Sequence, residues 1–247
     1  MLLADLHIHS NFSDGRLSIP QLVDLYGQQG FDVIAITDHL CDRSSFLGLA
    51  ANYLGKTLTA QNFSEYQEVL AEQIERARRM YNMVVLPGIE YTKNSLFNSR
   101  SAHILGIGVT QMIDPLLDAY DLANEVKNQN GLTVAAHPVW TRKLEPQTFH
   151  LCDRRQEVAQ VFDAWEVASG TCFFDEVANS GLPMLANSDL HHPRQIRSWK
   201  TLLECKKNTP DILNSIRQQK IKFTFFEGLD VSRISNNLGE SLLLSYI

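Results

Sequence analysis

The chain has 247 residues, 44% of them hydrophobic, with 22 Lys and Arg against 28 Asp and Glu and a formal net charge of −6. This length and composition exclude a disordered or disulfide-stapled chain and are typical of one α/β domain of barrel size. The negative charge argues against long nucleic acids as partners, because binding their phosphates relies on clustered Lys and Arg.

Short apolar runs alternate with helical patterns along the chain. A strand predicted over 2–8 is followed by a helix with Ser18 as its N-cap and Pro20 in its first turn, and then by a strand over 31–37. The alternation continues with a helix at 64–81, strands at 83–90 and 102–109, a helix at 115–129, strands at 132–138 and 161–167, a helix near 172–179, strands at 183–189 and near 201–205, a helix with Thr209 as its N-cap, and a strand over 221–227. Seven or so mostly parallel strands crossed by helices predict a barrel or closed α/β layer in one domain, residues 1–247.

Two segments depart from this alternation. Residues from about 40 to 62 lack clear periodicity, and so long a loop after a strand indicates a lid or an insertion. Residues from about 228 to 247 are first polar and then apolar, which predicts a C-terminal extension that docks across the barrel or onto another subunit.

The remaining composition points to a cytoplasmic protein. The cysteines Cys41, Cys152, Cys172 and Cys205 are far apart and form no CxxC pair, which favours a reducing compartment. No leader pattern or membrane-length apolar run is seen, so no membrane partner is expected. The oligomeric state stays open.

The histidines carry the strongest chemical signal. Six of the eight lie on or directly after predicted strands: His7, His9, His39, His103, His137 and His191. Acidic residues occupy comparable positions: Asp14, Asp38, Glu90 and Asp189. Because the strand ends of one barrel face converge, these residues are predicted to meet in one pocket. The HxH spacing of His7 and His9 places both imidazoles on the same side of a strand, which suits one metal ion.

Each of these residues also has a structural interpretation when taken alone. His39 fits a loop, His103 fits a buried histidine bonded to backbone, and His137 fits a turn. Glu90 fits a helix cap, and Asp189 fits the start of a helix. Their joint occurrence at strand ends favours the metal site.

The ordered set of motifs resembles the PHP (polymerase and histidinol phosphatase) superfamily of metal-dependent phosphoesterases. The matching strings are DLHIHSNFSDG at 5–15, DVIAITDH at 32–39, GIE at 88–90, AHILGIG at 102–108, AHP at 136–138 and NSDLHH at 187–192. Each string alone is weakly diagnostic, whereas the set in this order is highly specific.

This resemblance implies an α/β fold, a distorted (β/α)7 TIM-like barrel of the PHP type, with three divalent transition-metal ions. The first metal would be held by His7, His9, Glu90 and Asp189, the second by Glu90 as a bridge with His103 and His137, and the third by Asp14, His39 and His191. Mixed nitrogen and oxygen ligands suit Zn, Fe or Mn. A metal-bridging hydroxide would attack the phosphorus atom.

The residues expected to matter for catalysis are Asp189, Glu90 and Asp38. We expect Asp38 to orient His39 or a ligand water, because metal-bound imidazoles generally donate their second N–H to an acceptor. The alternative for Asp38 is a solvent-facing side chain.

Basic residues near two of the motifs are candidates for contacts with the substrate phosphate, because Arg binds phosphate oxygens in bidentate fashion. They are Arg142, Lys143, Arg194 and Arg197, with Arg142 and Arg194 ranked first. His150 and His192 match no ligand position and are interpreted as surface or rim residues.

Two features depart from the family pattern. Asp14 stands where histidinol phosphatases of this family tend to have His, which favours the general and nucleotide phosphoesterase branch. The distance from His39 to Glu90 is long, and Glu90 is chosen on its GIE context. The other candidates lie in a helical pattern and are interpreted as its solvated face: Glu65, Glu68, Glu72 and Glu75.

The first functional hypothesis is a phosphomonoesterase that acts on a small metabolite, such as a nucleotide, sugar or amino-alcohol phosphate. The alternative within hydrolases is a phosphodiesterase or exonuclease-type enzyme that acts on short oligonucleotides or on cyclic or bis-phosphorylated nucleotides. An amidohydrolase barrel also begins with HxH, but it normally carries a bridging Lys and lacks TDH. A non-enzymatic, metal-stabilised interaction module would have lost ligands, whereas all nine positions are present here.

Overall fold

A computed structural model describes residues 1–42, 46–93, 101–139 and 150–228. The strands in this part of the chain are β1 (Leu2–Asp5), β2 (Val33–Ile36), β3 (His39–Cys41), β4 (Val84–Lys93), β5 (Ala102–Ile107), β6 (Leu132–Ala135), β7 (Ala164–Ser169), β8 (Cys172–Phe173), β9 (Met184–Asn187), β10 (Ser198–Leu203) and β11 (Ile221–Phe226). The helices are α1 (Ile19–Gln28), α2 (Phe46–Tyr53), α3 (Phe63–Tyr81), α4 (Ala119–Asn128), α5 (His150–Asp153), α6 (Arg155–Val158), α7 (Asp175–Ala178) and α8 (Thr209–Arg217).

These strands form one curled sheet in the order β11-β10-β1-β2-β4-β5-β6-β7-β8, with β3 beside β4 and β9 beside β7. The sheet curls back on itself and brings β9 next to β10, where the Ala186 N–H donates to the hydroxyl of Thr201 at 3.0 Å. Ile8 and Leu190 form a further parallel bridge across the same gap. The predicted α/β fold is therefore confirmed.

The sheet is mixed, and the expectation of mostly parallel strands was too simple. Strand β5 runs antiparallel to both β4 and β6. Lys93 and Ala102 are the facing ends of β4 and β5, and too few residues separate them for the crossover that a parallel pair needs. As a result, the start of β5 lies at the same edge of the sheet as the end of β4.

Local capping signals place the helices. Helix α1 begins after Ser18 as predicted, and the side chain of Gln21 accepts the Ser18 backbone N–H at 2.9 Å. The prediction for α8 was wrong by one residue: Asn208 is the N-cap, because its side-chain oxygen accepts the Asp211 N–H at 3.0 Å. Thr209 is the first helical residue.

Two apolar clusters lie on the two sides of the sheet. One side, which includes Ala4, Val33 and Ala35, packs with residues of α8 such as Ile212. The other side, which includes Ile34, packs with the surrounding helices. Strands buried on both faces explain why their sequences are nearly continuous apolar runs.

Two local predictions need correction. The segment 40–62 contains part of β3 and helix α2 rather than only a loop, and its sequence FLGLAANY is rich in Leu and Ala, which favour helix. The predicted helix near 172–179 is the short strand β8 followed by the one-turn helix α7. Gly170 has a φ of 59°, which permits the two-residue turn between β7 and β8.

The proposed C-terminal extension lies, beyond Gly228, outside the described residues. Within the described ranges, no helix is long and apolar enough to cross a membrane.

Candidate metal centre

The curled sheet brings all nine predicted ligand positions together at one edge. His7 and His9 follow β1, His137 follows β6, and Asp189 and His191 follow β9. Glu90 lies within β4 and pairs in register with His39 of β3. Four overlapping groups can each hold a metal ion, namely His7 with His9 and Glu90; His7 with His137 and Asp189; Glu90 with His103 and His137; and His9 with Asp14, His39 and His191.

His103 reaches this edge because β5 is antiparallel. It lies at the beginning of its strand, opposite Thr92 near the end of β4. In a purely parallel barrel, the beginning of a strand would lie at the opposite end from the other ligands.

Two histidine nitrogens each lie close to the same two carboxylate oxygens. The Nε2 atom of His7 lies 3.4 Å from Glu90 Oε2 and 3.4 Å from Asp189 Oδ1. The Nε2 atom of His9 lies 3.3 Å and 3.2 Å from the same two oxygens. Ligands held tetrahedrally at about 2.1 Å from an ion are about 3.4 Å apart from one another. These two histidines and two carboxylates are the residues expected for the first metal.

Two further groups share this compact spacing. The second oxygen of Glu90, Oε1, lies 3.0 Å from His103 Nδ1 and 3.5 Å from His137 Nε2. The Oδ1 atom of Asp14 lies 3.5 Å from His39 Nε2 and 3.2 Å from His191 Nε2. Glu90 therefore occupies the bridging position between the first two groups.

Buried atoms at the centre lack the hydrogen bonds that buried polar atoms normally make. Within the described part of the chain, they include His7 Nε2, both ring nitrogens of His9 and both carboxylate oxygens of Glu90. Such atoms are costly to bury without a partner. Bound cations would satisfy His7 Nε2, His9 Nε2 and the two oxygens of Glu90, so the donor set fits a metal centre of mixed nitrogen and oxygen ligands.

The family model of the PHP domain matches residues 5–131 of this chain. The chain belongs to the PHP domain family. The match covers the cluster residues from His7 to His103, and His137, Asp189 and His191 join them through β6 and β9, beyond the matched range.

Comparisons with individual proteins agree with this membership. A phosphoribosyl 1,2-cyclic phosphate 1,2-diphosphodiesterase from Eggerthella lenta is 30% identical over 131 residues, covering 53% of this chain and 40% of that protein. A Bacteroides vulgatus crystal structure, described as a two-domain protein containing a predicted PHP-like metal-dependent phosphoesterase, has a TM-score of 0.68 at 22% identity. This structural match covers 91% of this chain and 64% of the Bacteroides vulgatus chain. This chain therefore spans less than two thirds of the length of either the Eggerthella lenta or the Bacteroides vulgatus protein.

PsfC from Pseudomonas syringae has a TM-score of 0.57 at 15% identity, with 91% of each chain covered. At these identities the two structural likenesses establish a shared fold.

The acidic members of this PHP cluster are held in their charged form. Burial acts to raise the pKa of Glu90, but the surrounding imidazoles, led by His39, hold it well below its usual range. The pKa of Asp189 is likewise raised by burial and lowered more strongly by His7 and His191, so that it lies well below its usual range. Both carboxylates are thus ionised and available to a cation at neutral pH.

The imidazoles divide into two kinds. Burial and the neighbouring His191 lower the pKa of His9 to about 3, so its ring is neutral at neutral pH, as a ligand requires. Burial also acts to lower the pKa of His191, but the carboxylate of Asp14 and that of Asp189 raise it to about 9. Without metal, the His191 ring is therefore protonated at neutral pH, and a cation that binds there must displace this proton.

Asp38 is buried next to the cluster and contacts the segment that follows His9. Its carboxylate accepts hydrogen bonds from the Ser10 N–H at 2.8 Å, the Ser10 hydroxyl at 2.6 Å and the Ser13 hydroxyl at 2.5 Å. His39 Nδ1 contacts the Thr92 hydroxyl at 2.7 Å and Glu90 Oε2 at 2.8 Å. The solvent-facing alternative for Asp38 was wrong, because its side chain is fully buried. That Asp38 orients a ligand water stays a prediction. Asp38 holds the turn that carries Asp14.

That turn also requires the glycine of the SDG motif. A Cβ atom at Gly15 would lie 2.2 Å from the carbonyl oxygen of His9. Gly15 therefore allows the turn to fold back onto the HxH segment and to place Asp14 near His39 and His191.

The residue Asp189 has a strained backbone, with a φ of 51°. The preceding residue, Ser188, donates its N–H to the carboxylate of Asp5 at 3.0 Å. Asp5 is fully buried and pairs with Lys200 at 3.1 Å. This buried ion pair supports the segment that carries Asp189.

A cavity of about 330 Å³ lies beside the cluster. Asp14, His137, Asp189 and His191 form one wall, and the turn from Ser169 to Cys172 forms another. Neither Arg194 nor Arg197 is among its described lining residues, although Gln195 is.

The expected phosphate contacts have different outcomes. Arg142 and Lys143 lie outside the described residues. Arg194 is exposed, next to the cavity-lining Gln195. Arg197 faces Glu227 at 3.1 Å, because the pairing of Ser198 with Phe226 brings the two together.

Residues assigned to the surface behave as expected where they are described. His192 caps the short 3-10 helix Pro193–Ile196 by accepting the Arg194 N–H at 3.2 Å. The acidic residues of α3 are exposed, which supports the choice of Glu90 over them: Glu65, Glu68, Glu72 and Glu75.

One buried residue of the centre was missed in the sequence. Glu166 in β7 accepts a hydrogen bond from His7 and another from the backbone of His137. Its signal was present, since a carboxylate within the apolar run VFDAWEV must find partners when it is buried.

Proposed function

We propose that this PHP domain protein is a metal-dependent hydrolase of phosphoric esters, with a phosphomonoester of a small metabolite as its substrate. The observation that carries the proposal is that the Nε2 atoms of His7 and His9 each lie 3.2–3.4 Å from the same two carboxylate oxygens, Glu90 Oε2 and Asp189 Oδ1. The family membership supports the same assignment.

The chain supplies three groups of ligands for three divalent transition metals, Zn, Fe or Mn. His7, His9 and Asp189 serve the first site, His103 and His137 the second, and Glu90 bridges the two. The third site is formed by Asp14, His39 and His191. When bound, such cations lower the pKa of water and neutralise charge on phosphoryl oxygens.

The side chains have separate tasks in this reaction. Glu90 and Asp189 hold negative charge at the centre, which attracts cations to it. His39 and His191 lie on the more open side of the cluster, with side-chain exposures of 13% and 28%, where a substrate can approach. Asp38 fixes the turn of Asp14 and so acts through another residue.

The cavity supports a small substrate. Its volume of about 330 Å³ suits a metabolite rather than a folded polymer. Ser169 and Thr171 line the wall formed by the β7–β8 turn, and their hydroxyl groups are the proposed contacts to a polar leaving group. Arg194, together with Arg142 and Lys143, remains the proposed source of cationic contacts to phosphate.

A phosphodiester is the second candidate substrate. The Eggerthella lenta relative is named as a phosphoribosyl 1,2-cyclic phosphate 1,2-diphosphodiesterase, which favours a cyclic phosphate diester within this alternative. Cyclic or bis-phosphorylated nucleotides are the other members of this alternative. Short oligonucleotides belong to the same class of diester.

We further propose that the curled sheet is a distorted (β/α)7 barrel and that residues 40–62 cover the cavity as a lid. His39 directly precedes the lid segment, and Leu58 near the end of the segment donates its N–H to the His39 carbonyl at 2.7 Å. The four cysteines are free, which supports a reducing, cytoplasmic setting.

The test is a phosphate-release assay on the protein reconstituted with Zn²⁺, Mn²⁺ or Fe²⁺. p-Nitrophenyl phosphate and bis-p-nitrophenyl phosphate separate monoesterase from diesterase activity, and a panel of nucleotides, sugar phosphates and amino-alcohol phosphates then identifies the substrate class. We expect monoester hydrolysis that is lost in His7→Ala and Asp189→Ala.

A matched control is His192→Asn, which changes a neighbouring histidine outside the cluster and keeps a helix-capping side chain. It should retain activity. Equal activity in His7→Ala and in the wild type would contradict the proposed function, and preferential cleavage of the diester would favour the second candidate.

A further inference from the structure

Glu166 is a fully buried carboxylate of β7 that contacts two separate parts of the metal centre. Its Oε1 atom lies 3.0 Å from His7 Nδ1. Its Oε2 atom accepts the backbone N–H of His137 at 2.7 Å. One side chain therefore links the HxH segment after β1 to the loop after β6.

The contact with His7 fixes which ring nitrogen faces the centre. When Nδ1 donates its proton to Glu166, the lone pair of Nε2 is free to bind a cation. That Nε2 atom is the one that lies 3.4 Å from both Glu90 and Asp189.

The contact with His137 acts on the backbone. His137 has a φ of 27°, which a residue with a side chain rarely adopts. Such a conformation persists only when its surroundings fix it. The hydrogen bond to Glu166 holds the N–H of this residue while its Nε2 atom lies 3.5 Å from Glu90.

Glu166 is itself held in place by Asn187 of β9. The side-chain amide of Asn187 donates to Glu166 Oε1 at 2.9 Å, and its oxygen accepts the Leu6 N–H at 2.9 Å. The orientation of this amide is thus fixed, and three donors converge on the two oxygens of Glu166. Glu166 belongs to none of the ligand groups found among the described residues.

We propose that Glu166 is a positioning residue that sets the ring orientation of His7 and the backbone of His137, and so couples the first two metal sites. This inference rests on the proposed metal-dependent function. The arrangement explains why a carboxylate is buried here, since it accepts three hydrogen bonds from groups that must stay fixed.

The test compares Glu166→Gln with the wild type by competition for Zn²⁺ against a chromophoric chelator. Glutamine replaces one acceptor oxygen by an NH₂ donor, so at least one of the three donors loses its acceptor. We expect metal affinity to fall about 10- to 100-fold, which is the usual effect of removing a residue that orients a metal ligand. The matched control is Glu157→Gln, since Glu157 is an exposed glutamate that pairs with Arg154.

Urea unfolding of the metal-free proteins separates positioning from general stability. A purely structural role would lower the stability of metal-free Glu166→Gln and leave its Zn²⁺ affinity equal to that of the wild type. That result would overturn the inference. If the wild type itself bound no Zn²⁺, that result would contradict the proposed metal-dependent function. Equal Zn²⁺ affinity in the wild type and Glu166→Gln would contradict only the role of Glu166, so the two results are distinguishable.

A second measurement does not depend on a variant that folds. In the Zn²⁺-loaded wild type labelled with ¹⁵N-histidine, His7 should carry its proton on Nδ1. A His7 ring protonated on Nε2 would overturn the inference.

Discussion

Two fully buried carboxylates, Asp5 and Glu90, have different partners for their negative charge. Asp5 forms an ion pair with Lys200, whose Nζ atom lies 3.1 Å from the carboxylate. It also accepts a hydrogen bond from the Tyr26 hydroxyl at 2.7 Å. Glu90 is surrounded by imidazoles, and no Lys or Arg pairs with it among the described residues. Where a buried charge is structural the chain supplies the cation, whereas around Glu90 the positive charge comes from protons on histidine or from a bound metal.

The largest expected effect is that of Glu90→Gln. This change removes the charge that bridges two ligand groups, so we expect metal binding and aryl phosphate hydrolysis to fall by more than the roughly 100-fold that marks loss of an orienting residue. Chelator competition and phosphate release measure the two effects, and His192→Asn serves as the control. Unchanged metal affinity would remove Glu90 from the centre.

Lys200→Met tests the other carboxylate. It leaves Asp5 buried without its cation, and breaking a buried pair typically costs about 3–5 kcal/mol in free energy of unfolding. Urea unfolding of the metal-free protein measures this loss. The double variant Asp5→Asn with Lys200→Met should recover part of the stability, and a loss below about 1 kcal/mol in the single variant would show that the ion pair is not structural.

Metal removal should destabilise the wild type but not Glu90→Gln. A ligand that binds only the folded state at about 1,000 times its Kd stabilises by about 4 kcal/mol. Thermal unfolding with added Zn²⁺ or with excess chelator measures the difference. Equal Tm values for the wild type under both conditions would contradict a metal site in the folded protein.

The smallest effect is a pH dependence carried by His191. Burial acts to lower its pKa, but Asp14 and Asp189 together raise the pKa to about 9. An unfolded histidine has a pKa of about 6.5. The protonated ring therefore stabilises the metal-free protein fully below about pH 6.5, and this stabilisation is lost as pH rises toward 9.

Metal affinity should change in the opposite direction over the same pH range, because the cation displaces the proton. Urea unfolding of the metal-free protein from pH 6 to 9.5 measures the first trend, and chelator competition measures the second. His191→Gln should flatten the unfolding profile, and an unchanged slope in that variant would assign the dependence to another group.

Much of the fold was predictable because its signals are local. The β-branched run at 31–37 and the Ser18 and Pro20 signals predicted the first βαβ unit, which the structure contains. The orientation of β5 depends instead on the short distance to β4 in the chain and on pairing with β6. The helix α2 was missed because it is short and its apolar residues lack a clear period.

In the metal centre, too, some residues could be predicted from the sequence and others could not. The nine cluster residues could be predicted because all of them lie within the family motifs and most lie next to strand ends, although Glu90 lies inside β4 and His103 at the beginning of β5. Glu166 and Asp5 act through hydrogen bonds to distant backbone N–H groups, at His137 and Ser188. Such contacts leave no periodic signal in the sequence, and the partner of Asp38 could not be inferred for the same reason.

The most direct test is the metal content of the purified, reconstituted protein, measured by inductively coupled plasma mass spectrometry. The cluster of His7, His9, Glu90 and Asp189 predicts two to three equivalents of Zn, Fe or Mn per chain, reduced in His7→Ala and Asp189→Ala and retained in His192→Asn. A wild-type protein that holds no metal after reconstitution would contradict the metal centre and the function proposed for it.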